Sequence, residues 1–178
     1  MNPILKAIIF AKDAHKTQFR KYTNRPYITH PARVAMRVAL LPEVTEEMIC
    51  TAFLHDVCED CDVSIAEIEE HFGATVASYV EGLTNTSKKD FPELNRSDRK
   101  KKDHEKIATR GCHVQNIKLC DRLDNLGELD LAGAGEDFYR LYLKESQELL
   151  AVLTKGDENL RSELGIRINS MLSELDKK

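Results

Sequence analysis

The sequence predicts an all-α protein, a compact bundle of several helices around one central cleft. Apolar residues recur at helical spacing through most of the chain, as they do at Ile4, Ala7, Ile8 and Ala11 in the first segment. No segment shows the strict alternation of apolar and polar residues that is typical of a strand, and no internal repeat is found. The 178 residues, 42% of them hydrophobic, favour a single domain over 1–178.

Helix start signals place the elements of the first half. Pro31 suits a first helical turn, because a proline lacks the N–H that this turn leaves unpaired. Thr45, followed by acidic residues, predicts the N-cap of a helix that runs on through His55 and Asp56 to the acids beyond. Ser64, with Glu67 three residues later, has the pattern of a capping box and predicts another helix start.

The second half begins with a polar stretch, 84–102, that contains Pro92 and ends in a run of basic residues. This stretch predicts a loop leading into the start of a basic helix. A further helix is expected from about His113, followed by a turn of small residues at 133–135. Two packing helices are predicted over about 137–176, with their apolar face formed by Leu141, Leu149, Leu150, Leu153, Leu164, Ile168 and Leu172.

Composition excludes several classes of partner. With 26 Lys and Arg against 30 Asp and Glu, the net charge is −4, so no overall basic field attracts DNA or RNA. No apolar run approaches the roughly 20 residues of a membrane span, and no signal-peptide cleavage site follows the N-terminal segment. Five cysteines, an odd number, are expected to be reduced thiols. We therefore expect a cytoplasmic protein, either monomeric or homo-oligomeric, with no membrane partner.

Two histidines and two aspartates are candidate ligands of one divalent metal ion: His30, His55, Asp56 and Asp121. Imidazole and carboxylate together suit Mn, Fe, Co or Zn. Glu59 and Asp60 follow at i+4 from His55 and Asp56, about 6 Å further along a continuous helix. From there they can orient a water and move protons, while the ion activates that water. The pattern thus predicts a metal-dependent hydrolase.

The alternative reading is that each of these residues is ordinary. A His-Asp dipeptide is common on surfaces and at helix ends, and Asp121 could simply pair with a neighbouring cation. However, Asp56 directly follows the apolar run 52–54, and Asp121 follows Ile117 and Leu119. Acids embedded in otherwise buried helices need partners, which favours the metal site.

Four segments resemble a known family. The segments are His15–Lys21, Pro26–Pro31, Leu54–Asp60 and Lys118–Asn125. They resemble the HD phosphohydrolases, and in detail the hydrolase domain of the RelA/SpoT proteins and the stand-alone small alarmone hydrolases. The resemblance covers a core of about residues 4–150. It implies an all-α HD-domain bundle with one Mn²⁺ per chain in a central metal cleft. It also implies hydrolysis of the 3′-pyrophosphate of ppGpp or pppGpp, giving GDP or GTP and pyrophosphate.

The resemblance also implies residue roles. By position the metal ligands are His30, His55, Asp56 and Asp121, and the acidic pair that handles the water is Glu59 and Asp60. The implied nucleotide contacts are Arg20 on the base, Lys21 near phosphate, Asn125 at ribose or base, Lys100 at phosphate, and Tyr142. One departure lies between Lys21 and Pro26, where the family often has a glycine and this chain has Asn24-Arg25.

Two other functions stay open on the sequence. One is an HD phosphatase that acts on another nucleotide, either a deoxynucleotide or the 2′-phosphate of NADPH. The other is a non-catalytic module that senses a nucleotide, which is disfavoured because no proposed ligand or acid is missing. Cys58 and Cys61 form a Cys-x-x-Cys, which we interpret as half-buried thiols in preference to a redox or zinc site.

Overall fold

The fold of this protein, given by a computed structural model that describes residues 1–132 and 134–177, is helical. Within those residues there is no strand, and Phe19 and Pro26 form an isolated antiparallel bridge. The all-α prediction is therefore confirmed. The chain divides into two compact units, Met1–Thr86 and Ser87–Lys178. The predictions of a single domain and a single central cleft remain predictions. In the part of the chain described, no helix combines the length and apolarity that a bilayer crossing needs.

The first unit is built around one central helix. Its elements are α1 (Pro3–Ala14), α2 (Thr29–Val38), α3 (Glu46–Leu54), α4 (Val57–Asp60), α5 (Ile65–Phe72) and α6 (Ala74–Leu83). Helix α3 packs against α1, α2 and α6, and α5 packs against α6. The buried core of this unit is formed by Ala7, Ala11, Cys50, Leu54, Val57, Ile68, Val76, Ala77 and Val80.

The predicted helix starts are confirmed by side-chain caps. The Thr45 hydroxyl accepts a hydrogen bond from the Met48 N–H at 3.3 Å, and the Ser64 hydroxyl accepts one from the Glu67 N–H at 3.2 Å. Pro31 lies in the first turn of α2. Each cap satisfies an N–H that the helix itself leaves unpaired and stabilises it by about 1 kcal/mol.

The prediction of one continuous helix through His55 and Asp56 is wrong. Helix α3 ends at Leu54, and α4 begins at Val57. His55 Nδ1 lies 2.9 Å from the carbonyl oxygen of Ala52, which a continuous helix would use for the N–H of Asp56. Asp56 adopts φ −102° and ψ −7°, and its own carbonyl accepts from the Asp60 N–H at 2.9 Å, which starts the new turn. The helix therefore breaks because the His55 ring takes the Ala52 carbonyl as its hydrogen-bond partner.

A tight loop joins α1 to α2. The Arg20 N–H donates to the Arg25 carbonyl at 2.8 Å, and the Tyr27 N–H donates to the Gln18 carbonyl at 3.0 Å. Asn24 closes the loop at φ +52°, in the left-handed region. Asparagine adopts this region more readily than other residues with a side chain. This explains how Asn24 serves where the resembling family often has a glycine.

The second unit contains the remaining helices: α7 (Ser87–Asp90), α8 (Arg96–Ala108), α9 (Cys112–Ala132), α10 (Glu136–Val152) and α11 (Glu158–Leu175). Helix α10 packs against α8, α9 and α11. The two C-terminal packing helices are confirmed, but Leu141 is 41% exposed and does not belong to their buried face. The predicted turn at 133–135 includes Gly133, which lies outside the described residues; Gly135 precedes α10.

The stretch 84–102 leads into a basic helix, as predicted, but the loop before that helix is shorter than predicted. The stretch contains α7 and the first half of α8, which begins at Arg96 and carries the basic run. Asn95 is the reason for the early start, because its side-chain oxygen accepts from the Asp98 N–H at 3.0 Å. The Asn95 amide also donates to the Asp98 carboxylate at 2.7 Å, which holds the capping side chain in place.

Gly73 joins α5 to α6 at φ +84° and ψ +166°, a conformation that is almost exclusive to glycine. A Cβ at this position meets no described atom within 4 Å, so an alanine would cause no steric clash with neighbouring residues. Any loss of stability would come from the strained backbone conformation alone. We expect Gly73→Ala to lower the free energy of unfolding by about 1–3 kcal/mol in chemical denaturation.

The matched control is Gly127→Ala, in the middle of α9, where a Cβ also meets no described atom within 4 Å. This substitution should raise the free energy of unfolding by up to about 1 kcal/mol, because alanine is the better helix former. Equal effects of the two substitutions would contradict the backbone explanation.

Candidate metal centre and acidic pair

Three predicted ligands meet in the first unit. One ligand atom from each of His30, His55 and Asp56 lies within 4.8 Å of the other two. Asp56 Oδ2 is 3.0 Å from His55 Nε2 and 3.5 Å from His30 Nε2. Both histidines are buried, and Asp56 is half-buried. His30 comes from the first turn of α2, and the other two come from the break between α3 and α4.

The donor chemistry of this group fits a divalent cation. Nδ1 of His55 is directed to the Ala52 carbonyl, which places the proton of a neutral imidazole on Nδ1 and the lone pair on Nε2. That lone pair then faces the lone pairs of Asp56 Oδ2. A cation shared by the three residues turns this repulsion into coordination, and a backbone partner on the other ring nitrogen is the usual support of a ligating histidine. Two nitrogens and one carboxylate oxygen suit Mn, Fe, Co or Zn.

Tyr27 supports the group formed by His30, His55 and Asp56, called the metal group below. Its hydroxyl donates to Asp56 Oδ2 at 2.8 Å, and its ring stacks on His15 at a centroid distance of 4.6 Å. Burial, and then the negative charges of Asp56 and Asp60, raise the pKa of Tyr27 above its usual value, so it remains a protonated donor. From the sequence, Tyr27 was noted only as part of the segment Pro26–Pro31. Its position three residues before His30 was the signal for this supporting role.

Neutral amides hold the two predicted catalytic acids. Glu59 Oε2 accepts from the backbone N–H of Asn85 at 3.0 Å and from its side-chain amide at 2.9 Å. Asp60 Oδ2 accepts from the Gln18 amide at 2.9 Å, and Gln18 Oε1 in turn lies 2.6 Å from His15 Nδ1. No individual role was predicted for Asn85 or Gln18. These contacts span 26 and 42 residues, so no local pattern predicts them.

Arg20 and Lys21 lie on the loop between α1 and α2. The Arg20 guanidinium is half-buried and lies 5.3 Å from the centre of the Tyr27 ring. Lys21 is exposed, with its Nζ 5.2 Å from the centre of the Tyr22 ring. Arg20 therefore contacts the ring of Tyr27, the tyrosine that supports the metal group, whereas Lys21 extends into solvent.

Asp121 and Asn125 lie one turn apart on α9 in the second unit. Asp121 is 5% exposed and accepts from Lys118 Nζ at 2.7 Å and from the Asn125 amide at 2.5 Å. A buried carboxylate needs such partners. The contact with Lys118 agrees with the alternative reading, in which Asp121 pairs with a neighbouring cation. The role of Asp121 as a fourth ligand remains a prediction.

Positive charge is concentrated around Lys100 in the second unit. Burial, and then the charges of Lys118 and Arg122, lower the pKa of Lys100. The same influences lower the pKa of His104 to about 4, burial again being the largest and Arg122 the next. The Arg122 guanidinium lies 4.5 Å from the centre of the Tyr142 ring. This is the kind of local basic region that an anionic ligand requires in a chain with net charge −4.

The sequence profile of the HD domain matches residues 7–156. The chain belongs to the HD-domain family. In this HD-domain chain an upstream histidine and a His-Asp pair, distant in sequence, are brought together by the fold.

Named relatives agree with this placement. The chain is 38% identical over 153 residues to a probable guanosine-3′,5′-bis(diphosphate) 3′-pyrophosphohydrolase of Synechocystis, covering 84% of this chain but only 19% of that protein. It is 32% identical over 163 residues to the guanosine-3′,5′-bis(diphosphate) 3′-pyrophosphohydrolase MESH1 of Homo sapiens, covering 90% of this chain and 88% of that protein. The chain thus spans about a fifth of the longer relative and most of the shorter one.

A solved structure has a similar fold. The structure of a metazoan ortholog of SpoT, described as hydrolysing ppGpp, superposes with a TM-score of 0.82 at 26% identity. The match covers 98% of this HD-domain chain and 96% of that chain.

Tyr27→Phe tests the support of the metal group. The substitution keeps the ring that stacks on His15 but removes the donor to Asp56, so metal affinity should fall about 10- to 100-fold. The measurement is a titration of the metal-free protein with Mn²⁺ by calorimetry. Tyr22→Phe, on the same loop but 42% exposed, is the control and should leave the affinity unchanged. Equal affinity of Tyr27→Phe and the unmodified chain would refute the supporting role.

Proposed function

We propose that this HD-domain chain hydrolyses the 3′-pyrophosphate of ppGpp and pppGpp, releasing pyrophosphate and leaving GDP or GTP. The observation that carries the proposal is the cluster of His30, His55 and Asp56, followed within one helical turn by Glu59 and Asp60. The relatives and the similar structure, which bear names or descriptions of this activity, support it. We also propose that the protein works in the cytoplasm on this small nucleotide.

The proposed metal ion is a single Mn²⁺ per chain, held by His30, His55 and Asp56, with Asp121 as the fourth ligand. When bound, such an ion lowers the pKa of a coordinated water and polarises a phosphoryl oxygen. The protein residues supply the other parts of the chemistry. Glu59 and Asp60 follow the ligand Asp56 on the short helix α4, and their carboxylates orient the attacking water and take up its proton. Asn85 and Gln18 fix the direction of these two carboxylates.

Substrate binding is proposed to use flat and charged groups. The Arg20 guanidinium presents a plane on which a purine can stack, while Lys21 and Lys100 are ammonium groups suited to phosphate. Asn125 offers an amide for the ribose or base, and Tyr142 offers a ring for the nucleotide. The concentration of positive charge around Lys100 supports its assignment to phosphate.

The function is tested with a panel of nucleotides. The chain is loaded with Mn²⁺ and incubated with ppGpp, pppGpp, deoxynucleoside triphosphates and NADPH, and the released pyrophosphate and orthophosphate are assayed separately. We expect pyrophosphate and GDP from ppGpp. Orthophosphate from NADPH, or any hydrolysis of deoxynucleotides with ppGpp left intact, would instead establish the alternative HD phosphatase. Tight binding of ppGpp without turnover would establish a sensing module.

The matched control is the double variant Glu59→Gln, Asp60→Asn. It keeps the size of both side chains but removes their ability to take a proton, so turnover should fall about 100-fold or more. Neither residue belongs to the group of three ligands, so the metal content should be retained. Unchanged turnover would remove these acids from the mechanism.

Asp121→Asn tests the proposed fourth ligand. Loss of a direct ligand should weaken Mn²⁺ binding by more than the roughly 10- to 100-fold cost of losing a supporting contact. Metal content after dialysis, measured by elemental analysis, is the readout. Asp124→Asn changes another buried aspartate of α9 and is the control for general damage to that helix. Normal metal content in Asp121→Asn would leave Asp121 with the Lys118 ion pair alone.

A further inference from the structure

Two cysteines flank the acidic pair. Cys58 and Cys61 are free thiols, both half-buried, with Glu59 and Asp60 between them. The Cys61 N–H donates to the Val57 carbonyl at 3.0 Å, so residues 57–61 form one complete helical turn. In that geometry the Cα atoms of residues i and i+3 are about 5 Å apart. This separation lies inside the roughly 4.4–6.8 Å range over which a disulfide forms without movement of the backbone.

The Cys61 thiol belongs to the network that holds Asp60. Its Sγ lies 3.5 Å from the Ala14 carbonyl, to which the S–H donates, and 3.3 Å from His15 Nδ1. The same His15 nitrogen lies 2.6 Å from Gln18 Oε1, and the Gln18 amide donates to Asp60. His15 is 3% exposed, and its other ring nitrogen has no hydrogen-bond partner among the residues that the structure describes. The polar contacts of the His15 ring are therefore concentrated on this one nitrogen.

In contrast to the interpretation from sequence, which favoured plain thiols over a redox site, we propose that Cys58 and Cys61 are a modification site, at which a reversible intramolecular disulfide forms across the acidic pair and lowers its catalytic activity. The effect on activity rests on the proposed function, whereas the formation of the disulfide does not. The remaining cysteines are less suited to such a bond: Cys50 and Cys120 are buried, and Cys112 is an exposed residue at the start of α9.

The reaction takes a disulfide oxidant such as oxidised glutathione. The thiolate of one cysteine attacks a glutathione sulfur, forming a mixed disulfide and releasing one glutathione thiolate. The second cysteine thiolate then attacks the sulfur of the first, forming the Cys58–Cys61 bond and releasing the second glutathione. The two cysteines lose two electrons and two protons, and oxidised glutathione becomes two molecules of reduced glutathione.

The disulfide changes the surroundings of both acids. It removes the S–H that donates to Ala14 and draws Cys61 Sγ away from His15. It also encloses Glu59 and Asp60 in a small covalent ring, which restricts the turn that presents them. Once Cys61 no longer touches His15, the hydrogen-bonded path from His15 through Gln18 to Asp60 is less firmly fixed. A misplaced acid costs activity because proton transfer requires hydrogen-bond distance.

Burial sets the timescale of the experiment. It raises the pKa of Cys58 to about 11, with Glu67 as the next contribution, and it also raises the pKa of Cys61. Since the thiolate is the reacting form, exchange is slow near neutral pH. The disulfide is therefore measured after equilibration and not from an initial rate.

The test equilibrates the full chain in glutathione buffers of increasing oxidised fraction. Samples are quenched by alkylation, and their peptides are mapped by mass spectrometry, while turnover of ppGpp is assayed in parallel. We expect an internal Cys58–Cys61 disulfide, seen as the loss of two hydrogens. We also expect turnover to fall about tenfold or more, at the same oxidised fraction of glutathione at which the disulfide forms. Reduction with dithiothreitol should restore the activity.

Variants make the result specific. Cys58→Ser removes one partner, so oxidation should form no internal disulfide and stop at a mixed disulfide of Cys61 with glutathione, which peptide mapping recognises by its mass. Molecules of this variant that carry no glutathione should keep their turnover. Cys112→Ser changes an exposed cysteine elsewhere and should respond like the unmodified chain. Failure to form the internal disulfide at the highest oxidised fraction, or full turnover in the cross-linked protein, would overturn the proposal. If the reduced chain does not hydrolyse ppGpp, the proposed function fails and the claimed effect on activity fails with it, while peptide mapping still decides whether the disulfide forms.

Discussion

One carboxylate oxygen organises the first unit of this protein. Asp56 Oδ2 accepts the Tyr27 hydroxyl at 2.8 Å and lies 3.0 and 3.5 Å from the Nε2 atoms of His55 and His30. Removing a carboxylate from water is costly unless positive charge or donors replace the water. A hydroxyl donor and two imidazole nitrogens surround this oxygen, and a shared cation would be held by the same oxygen and nitrogens. The three side chains that could ligate it come from three helix ends.

The break between α3 and α4 makes this arrangement available. His55 contacts the Ala52 carbonyl through its own ring, so the helix ends and Asp56 begins a new turn. The same turn carries Glu59 and Asp60 away from the metal group, toward donors that come from elsewhere in the chain. The loop after α1 supplies both Tyr27, which donates to Asp56, and Gln18, which donates to Asp60. One loop therefore orients both a proposed ligand and a proposed catalytic acid.

The features that could be predicted from the sequence depend on residues close together in the chain or on a distinctive set of residue types. Caps at Thr45 and Ser64 are read from a residue and its near neighbours, and the metal group follows from residue types that have few other uses together. The helix break was missed because a side-chain contact with the backbone competes there with a helical hydrogen bond. The start of α8 was placed too late, because the polar stretch around Pro92 is typical of a loop and the cap at Asn95 was not recognised. The supports from Asn85 and Gln18 are tertiary, so no window of sequence contains both partners.

The choice of donors around the acids is itself informative. Glu59 and Asp60 are held by the amides of Asn85 and Gln18, which orient a carboxylate without supplying a counter-charge. Asp121 in the second unit is held differently, by the ammonium of Lys118 together with the Asn125 amide. A carboxylate that must take up a proton is better served by a neutral support, because a nearby cation favours the charged form over the protonated one. The Gln18 amide therefore suits the proton handling proposed for Asp60, and the Lys118 ammonium at Asp121 shows that these two carboxylates are held by different chemistry.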